Sequence, residues 1–275
     1  MDHYMSQSWV NWIHENLARN CSEESMIKAM VDSGVEIECA RQWILSVVNG
    51  DSNSNVTDIS DKSRIPTQDY VEIEGHIIHI TMRFSSPQIA LFENLLSSEE
   101  CDELIHMARP KLVSSNVVDP VTGESSPHEN RTSDGTYFQR GENALVQKLE
   151  TRISFLLDYP VNCGEGIQVL HYTKNKEYQP HYDYFDITSA GARQHLKKGG
   201  QRVATLIMYL NDVRAGGATF FPNLGIGIHP KKGSALYFEN ATTDGIVDPR
   251  TLHGGAPVLD GEKWIATKWI RQKIY

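Results

Sequence analysis

A mainly β domain with flanking helices, preceded by a small all-helical unit, is the fold class that the 275-residue sequence predicts. Apolar residues recur at helical spacing up to residue 48, whereas from Gly166 onward they fall into short runs divided by turn-forming residues. A polar stretch, GDSNSNVTDISDKSRIPTQD at 50–69, separates the N-terminal part from the rest.

In the first part Trp9, Trp12, Ile13 and Leu17 share one helical face. Met26, Ile27 and Met30 form a second, and Ile37, Ala40, Ile44, Val47 and Val48 a third. Ser22, ahead of Glu23 and Glu24, is the expected N-cap of the second helix, and Gly34 the expected stop before the third. Residues 1–49 therefore form a helical N-terminal unit. Residues 50–69 read as a linker, because few large apolar side chains are available there to support packing.

The remaining residues, 70–275, form the main domain. Strand-like runs cover 70–80 and 88–92. A helix then opens on the capping pattern Ser97-x-x-Glu100, in which each side chain satisfies the other residue's backbone amide. A second helix is predicted over 143–157, where Leu145, Leu149, Ile153, Leu156 and Leu157 make one apolar stripe. The runs GIQVLHY, YQPHYDYF, RVATLIMYL, ATFF, GSALYFEN and KWIATKWI follow, and strands this short, with turns between them, indicate a closed or double-sheet β architecture.

Hydrophobic residues at 40% and charged residues at 22% describe a globular chain rather than a disordered or fibrous one. A net charge of −9, with no block of Lys or Arg to reverse it locally, argues against nucleic acid as a partner. No membrane association is expected either, since no apolar run approaches the roughly 20 residues a bilayer-spanning helix needs. The first twenty residues carry charges throughout and lack the pattern of a cleaved leader. Cys21, Cys39, Cys101 and Cys163 are dispersed, with no CxxC pair, and read as reduced thiols of a cytoplasmic protein.

The chemistry concentrates in the second half. His181 and Asp183 in YQPHYDYF are separated by one residue, so an extended strand would turn both side chains to one face. Alone, such a pair is more often a surface or structural feature than a metal site. His253 in DPRTLHGGAPV adds a second imidazole, and two imidazoles with one carboxylate suit a redox-active iron whose other coordination positions stay open. Ten residues later, Lys263 heads the apolar run KWIATKWI. A lysine in apolar surroundings is costly unless paired, and an anionic ligand would explain its placement.

Four segments, QVLHYTKNKEYQPHYDYF, RVATLIMYLNDVRAGGATFFP, KKGSALYF and LHGGAPVLDGEKWIATKWIR, resemble in that order the prolyl 4-hydroxylase branch of the iron(II)/2-oxoglutarate oxygenases. The resemblance extends over residues 85–275. It implies a double-stranded β-helix, or jelly-roll, core and a hydroxylase of peptidyl proline that couples C–H hydroxylation to oxidative decarboxylation of 2-oxoglutarate to succinate. The implied cofactors are Fe(II), 2-oxoglutarate and O2, with L-ascorbate in support, and the implied partner is a proline-containing peptide or protein. The same chemistry on another side chain or on a free amino acid is the alternative.

By this resemblance His181, Asp183 and His253 are the catalytic iron ligands and Lys263 takes the distal carboxylate of 2-oxoglutarate. Tyr172 matches a tyrosine that hydrogen-bonds the co-substrate, and Thr205, Tyr209 and Thr267 are similar to positions lining its pocket. Tyr172 and Tyr209 also read as ordinary sheet aromatics. The stretch RTSDGTYF resembles one beside the family's substrate, which makes Arg131 a candidate substrate contact together with Tyr182 and Trp269, although a structural ion pair is an equal reading of Arg131. A nucleic-acid demethylase of similar metal pattern would usually anchor 2-oxoglutarate through arginine, and Lys263 stands against that. The segment 187–201, rich in Gly and Ser, is read as a loop beside the site and a candidate substrate lid. The N-terminal helices are a candidate protein-binding module, although amphipathic helices of this kind more often pack on one another.

Overall fold

The computed structural model describes residues 7–19, 21–32, 35, 37–49, 63–114, 116–118, 125–127, 132–187, 191–242 and 246–275. Contacts divide the chain into two units, Met1–Lys62 and Ser63–Tyr275.

The first unit contains α1 (Gln7–Ala18), α2 (Glu23–Asp32) and α3 (Ile37–Asn49). Ser22 Oγ accepts from the Ser25 amide at 3.2 Å, which caps α2, and Glu23 and Glu24 place negative charge at the positive end of the helix dipole. Ile13, Met26, Met30, Ala40 and Ile44 are buried together, with Trp9, Trp12 and Trp43 packed against them. The helices thus build their own small core. The stop expected at Gly34 lies outside the described residues.

In the second unit the chain is tied down before its first strand. Arg64 donates to the Asp158 carbonyl at 2.6 Å and Ile65 is buried in the core, so residues 63–69 are held against the domain rather than serving as the linker their composition suggested. The run expected over 70–80 is a hairpin of β1 (Tyr70–Ile73) and β2 (His76–Ser85). Its two-residue turn takes positive φ at both Glu74 (51°) and Gly75 (78°), which matches the twist of paired strands. β3 (Gln88–Glu93) pairs back onto β2.

α4 (Ser98–Ala108) opens on the anticipated capping box, with Glu100 N donating to Ser97 Oγ at 3.2 Å and Ser97 N to Glu100 Oε2 at 2.9 Å. β4 (Val113–Ser114), β5 (Asn116–Val118), β6 (Ser125–Pro127) and β7 (Asp134–Phe138) lead to α5 (Ala144–Leu157). Asn143 caps α5 by accepting from Val146 N at 2.9 Å, and the predicted leucine stripe is buried.

The remaining elements are β8 (Gly164–Tyr172), β9 (Tyr178–His181), α6 (Ala192–Leu196), β10 (Arg202–Tyr209), β11 (Ala215–Gly216), β12 (Thr219–Phe221), β13 (Ile226–Ile228), β14 (Ala235–Glu239), β15 (His253–Gly255), β16 (Val258–Asp260) and β17 (Lys263–Arg271). A nine-stranded sheet runs β1-β2-β3-β14-β10-β17-β8-β7-β4, and a four-stranded sheet runs β13-β12-β15-β9.

Strand alternation divides the apolar side chains between two cores. Leu170, Tyr172, Ile207, Tyr209, Leu236, Phe238 and Ile265 of the large sheet meet Phe221 and Ile228 of the small one, which makes the interior of a jelly roll. Their strand neighbours, among them Leu206, Met208, Trp264, Ala266 and Ile270, point the other way and pack on Leu104 of α4 and Leu149 and Ile153 of α5. The mainly β architecture with flanking helices is thus the observed fold. Among the described residues no helix is long and apolar enough to cross a membrane.

Candidate metal and co-substrate site

β9 and β15 are antiparallel neighbours in the small sheet, and their register sets His181 opposite His253. The two imidazole centroids lie 4.4 Å apart. β9 ends at His181, so Asp183 lies in a bend past the strand, and not on the extended segment that its spacing suggested. Backbone bending, rather than the pleat, brings its carboxylate to the histidines.

Asp183 Oδ1 is 3.7 Å from His181 Nε2 and Asp183 Oδ2 is 3.5 Å from His253 Nε2. His181 Nδ1 lies 2.9 Å from the Gln179 carbonyl, and His253 Nδ1 2.9 Å from that of Thr251. A carbonyl only accepts, so Nδ1 carries a proton in each ring and Nε2 is the atom turned toward the shared centre. Phe238 and Phe221 pack against the His253 ring, and Tyr178 stacks on His181 with centroids 3.6 Å apart. Burial pushes the Asp183 carboxyl up, but the neighbouring His253 and His181, then Arg202 and the Thr205 hydroxyl, outweigh it and hold the group below its ordinary value.

Lys263 begins β17 directly opposite Tyr172 of β8, and its Nζ lies 5.6 Å from the Tyr172 ring centroid. The residue is 3% exposed, and among the described residues no carboxylate lies within ion-pair distance of it. Burial alone lowers its pKa to about 7. Along β17, Ile265, Thr267 and Trp269 follow Lys263 on the interior face.

The other anticipated residues divide. Thr205 and Tyr209 do face the interior, but each hydroxyl has a partner inside the protein: Thr205 donates to Asp183 Oδ2 at 2.8 Å and Tyr209 to Thr219 Oγ1 at 2.9 Å. Trp269 sits across from Thr205 with the Arg202 guanidinium 3.9 Å above its ring. Tyr182 is 39% exposed and stacks on Tyr184 with ring centroids 4.6 Å apart. Arg131 lies outside the described residues, although its neighbour Thr132 bonds through its amide and hydroxyl to Glu177, just ahead of β9. Of the segment 187–201, residues 192–196 are helical and Arg271 binds the carbonyls of His195 and Lys198, so this part is anchored.

Two groups near the site escaped the sequence reading. Glu165 grips Arg202 through two bonds of 2.7 and 3.0 Å and Arg271 through a third of 3.0 Å. Asn240, just past β14, donates to Thr205 Oγ1 at 2.8 Å. Both depend on which strands become neighbours, and neither leaves a local sequence signal.

The donor set suits a ferrous ion: two imidazole nitrogens and a carboxylate oxygen, all within 4.8 Å of one another and supported by bonds from behind. A buried amine without a counter-charge likewise suits an incoming carboxylate. The arrangement can therefore hold a transition metal beside an anionic small molecule in a mostly apolar barrel.

Residues 167–271 match the family model of the 2OG-Fe(II) oxygenase superfamily. The chain is 41% identical over 208 residues to probable prolyl 4-hydroxylase 10 of Arabidopsis thaliana, covering 69% of this chain and 70% of that protein. It is 43% identical over 203 residues to prolyl 4-hydroxylase 5 of the same plant, covering 67% and 68%. The 2-oxoglutarate complex of a collagen prolyl hydroxylase from Paramecium bursaria Chlorella virus 1 superposes with a TM-score of 0.53 at 32% identity, over 66% of this chain and 95% of that one. With its fold, its ligand geometry and its relatives in agreement, the chain belongs to the prolyl 4-hydroxylase-like 2OG-Fe(II) oxygenases.

Proposed function

We propose that this protein hydroxylates peptidyl proline, with Fe(II) held by His181, Asp183 and His253 and the distal carboxylate of 2-oxoglutarate held by Lys263. The family uses Fe(II), 2-oxoglutarate and O2. When bound, these supply the oxidising power: the oxo-acid is decarboxylated to succinate while one oxygen atom enters a substrate C–H bond. The chain's own residues bind and orient. His181 and His253 turn their Nε2 atoms toward the shared centre because their Nδ1–H groups are committed to backbone carbonyls. Lys263 supplies a positive charge for the distal carboxylate, with Tyr172 opposite it on β8 and Thr267 further along the same face of β17.

The observation that carries this reading is Lys263, without a counter-charge among the described residues and buried on the same interior face as the side chains around the triad. A structural lysine at that depth would have a carboxylate partner. The substrate class rests on the relatives named prolyl 4-hydroxylase, and Arg131, Tyr182 and Trp269 are proposed as its contacts. L-ascorbate is the proposed reductant that keeps the iron ferrous. A reducing, cytoplasmic setting is in keeping with the free thiols of Cys21, Cys101 and Cys163.

The test is mass spectrometry of proline-containing peptides incubated with Fe(II), 2-oxoglutarate and O2. A gain of one oxygen on proline, matched by succinate, is expected. Succinate matched by oxygen on another residue would reassign the substrate, and no substrate-dependent succinate from any peptide would overturn the reading. Removing residues 1–62 tests whether the helical unit recruits protein substrates: a raised KM for a whole protein, with an unchanged KM for a short peptide, is expected of a recruiting module.

A further inference from the structure

Each of the three converging ligands is held by a bond from behind, but Asp183 is held differently from the histidines. The imidazoles are fixed by backbone carbonyls two residues earlier in the chain. Asp183, past the end of β9, has no ladder to fix it and is held by the side chain of Thr205 on β10, 2.8 Å away. Thr205 Oγ1 in turn accepts from Asn240 Nδ2 at 2.8 Å.

The polarity of this chain is dictated from the carboxylate end. A carboxylate only accepts, and threonine has one hydroxyl proton, so Thr205 must donate to Asp183 and receive from its other neighbour. Asn240 therefore has to present its NH2 group, since a flipped amide would set two acceptors against one proton. The consequence is visible on the other side of the amide. Asn240 is fully buried, and its Oδ1 has no hydrogen-bond partner among the described residues. The backbone around Asn240 is fully engaged, its N–H donating to Val203 and its carbonyl accepting from Asp248 N. β10 and β14 are already paired through their ladder, so the side-chain link is not needed to join them. A buried acceptor left unpaired is a cost that an apolar residue would avoid.

We infer that Thr205 and Asn240 form a positioning relay that fixes the rotation of the Asp183 carboxylate and thereby sets the affinity of the centre for its metal. This rests on the proposed role of His181, Asp183 and His253 as metal ligands. Thr205 is a positioning residue acting through Asp183, and Asn240 acts through Thr205.

The experiment is a Co(II) titration of the apo-protein, followed by the visible absorption of the bound ion, alongside urea unfolding of each apo-variant. Thr205→Val should weaken Co(II) binding about 10–100-fold, as loss of a ligand's supporting bond usually does. Thr205→Ser, which keeps the hydroxyl, should bind within a few-fold of wild type. Asn240→Leu should weaken binding by less than Thr205→Val while leaving the apo-protein no less stable, because the unpaired amide oxygen goes with it. The double variant should bind no more weakly than Thr205→Val alone, since Asn240 has no route to the metal except through Thr205. Wild-type affinity in Thr205→Val, or losses that add in full in the double variant, would overturn the relay. If the valine variant does not fold, Asn240→Leu decides alone, and unchanged affinity there overturns the relay too. A wild-type protein that takes up no Co(II) would overturn the metal reading itself, and the relay with it.

Discussion

Lys263 and Lys268 stand five residues apart on β17, equally buried, and point to opposite faces of the same sheet. Lys268, on the face covered by the helices, bonds Glu150 Oε1 at 2.5 Å and the Glu165 carbonyl. Lys263, on the barrel face, has no acidic partner among the described residues. Burial lowers the pKa of both amines, but at Lys268 Glu150 works against that shift, whereas nothing opposes it at Lys263. Among the described residues, Lys268 on the outer face is neutralised by an acidic side chain, whereas Lys263 on the inner face is not.

The sharpest way to break this contrast is to remove the inner face's chemistry while leaving the fold. His181→Ala or Asp183→Ala should lower substrate-dependent succinate formation by roughly a thousandfold or more, with an unchanged far-UV circular dichroism spectrum. Turnover near the wild-type rate in both variants would place the chemistry elsewhere.

Next in size is a pair of stability changes of opposite sign. Lys268→Met strands the buried Glu150 carboxylate and should cost about 3–5 kcal/mol in urea unfolding. Lys263→Met removes an amine with nothing to strand, and near pH 7 should stabilise the apo-protein by a few kcal/mol. Two losses of equal size would show that both lysines are structural.

The pH dependence sharpens the same comparison. Burial lowers the Lys263 pKa to about 7 from the ordinary 10.5 of a solvated lysine, so between those values the unfolded chain binds the extra proton. Stability from this group therefore rises as pH increases through the window from 7 to 10.5, and its full penalty is present below 7. The advantage of Lys263→Met over wild type should shrink between pH 7 and 9, by roughly 1 kcal/mol per pH unit. A constant difference would mean that Lys263 keeps an ordinary pKa.

The smallest expected effect lies wholly on the outer face. Asn143→Ala removes the cap of α5 and should cost about 1 kcal/mol of stability while leaving the KM for 2-oxoglutarate unchanged.

Residues whose role follows from local pattern were legible in the sequence. The longer helices announced themselves through apolar stripes, and two of them through Ser22 and Ser97 at their starts. His181 and Lys263 stood out locally, through the His-x-Asp spacing and an isolated lysine in an apolar run, whereas His253, 72 residues beyond His181, stood out only with the ordered family-like segments around it. What depends on which strands become neighbours was not legible. Asp183 was assigned to an extended strand but lies in a bend, because β9 stops once its pairing with β15 ends at His181. The turn at Glu74 and Gly75 was missed since Glu-Gly is a weak hairpin signal beside Asn-Gly. Thr205 pointed inward as its spacing implied, yet its partner there is Asp183, 22 residues back along the chain. Asn240 reaches the site over 35 residues through the β10–β14 pairing, and Arg202 is held by Glu165 from β8.

The central claim is that Lys263 is held uncompensated for a carboxylate that arrives from outside. Calorimetric titration of 2-oxoglutarate into Co(II)-loaded protein tests it most directly, with wild type and Lys263→Met side by side. The account predicts saturable binding to wild type and a weakening of about 30-fold or more in Lys263→Met, at the energy of one buried charged contact. Equal affinity in the two proteins would contradict it.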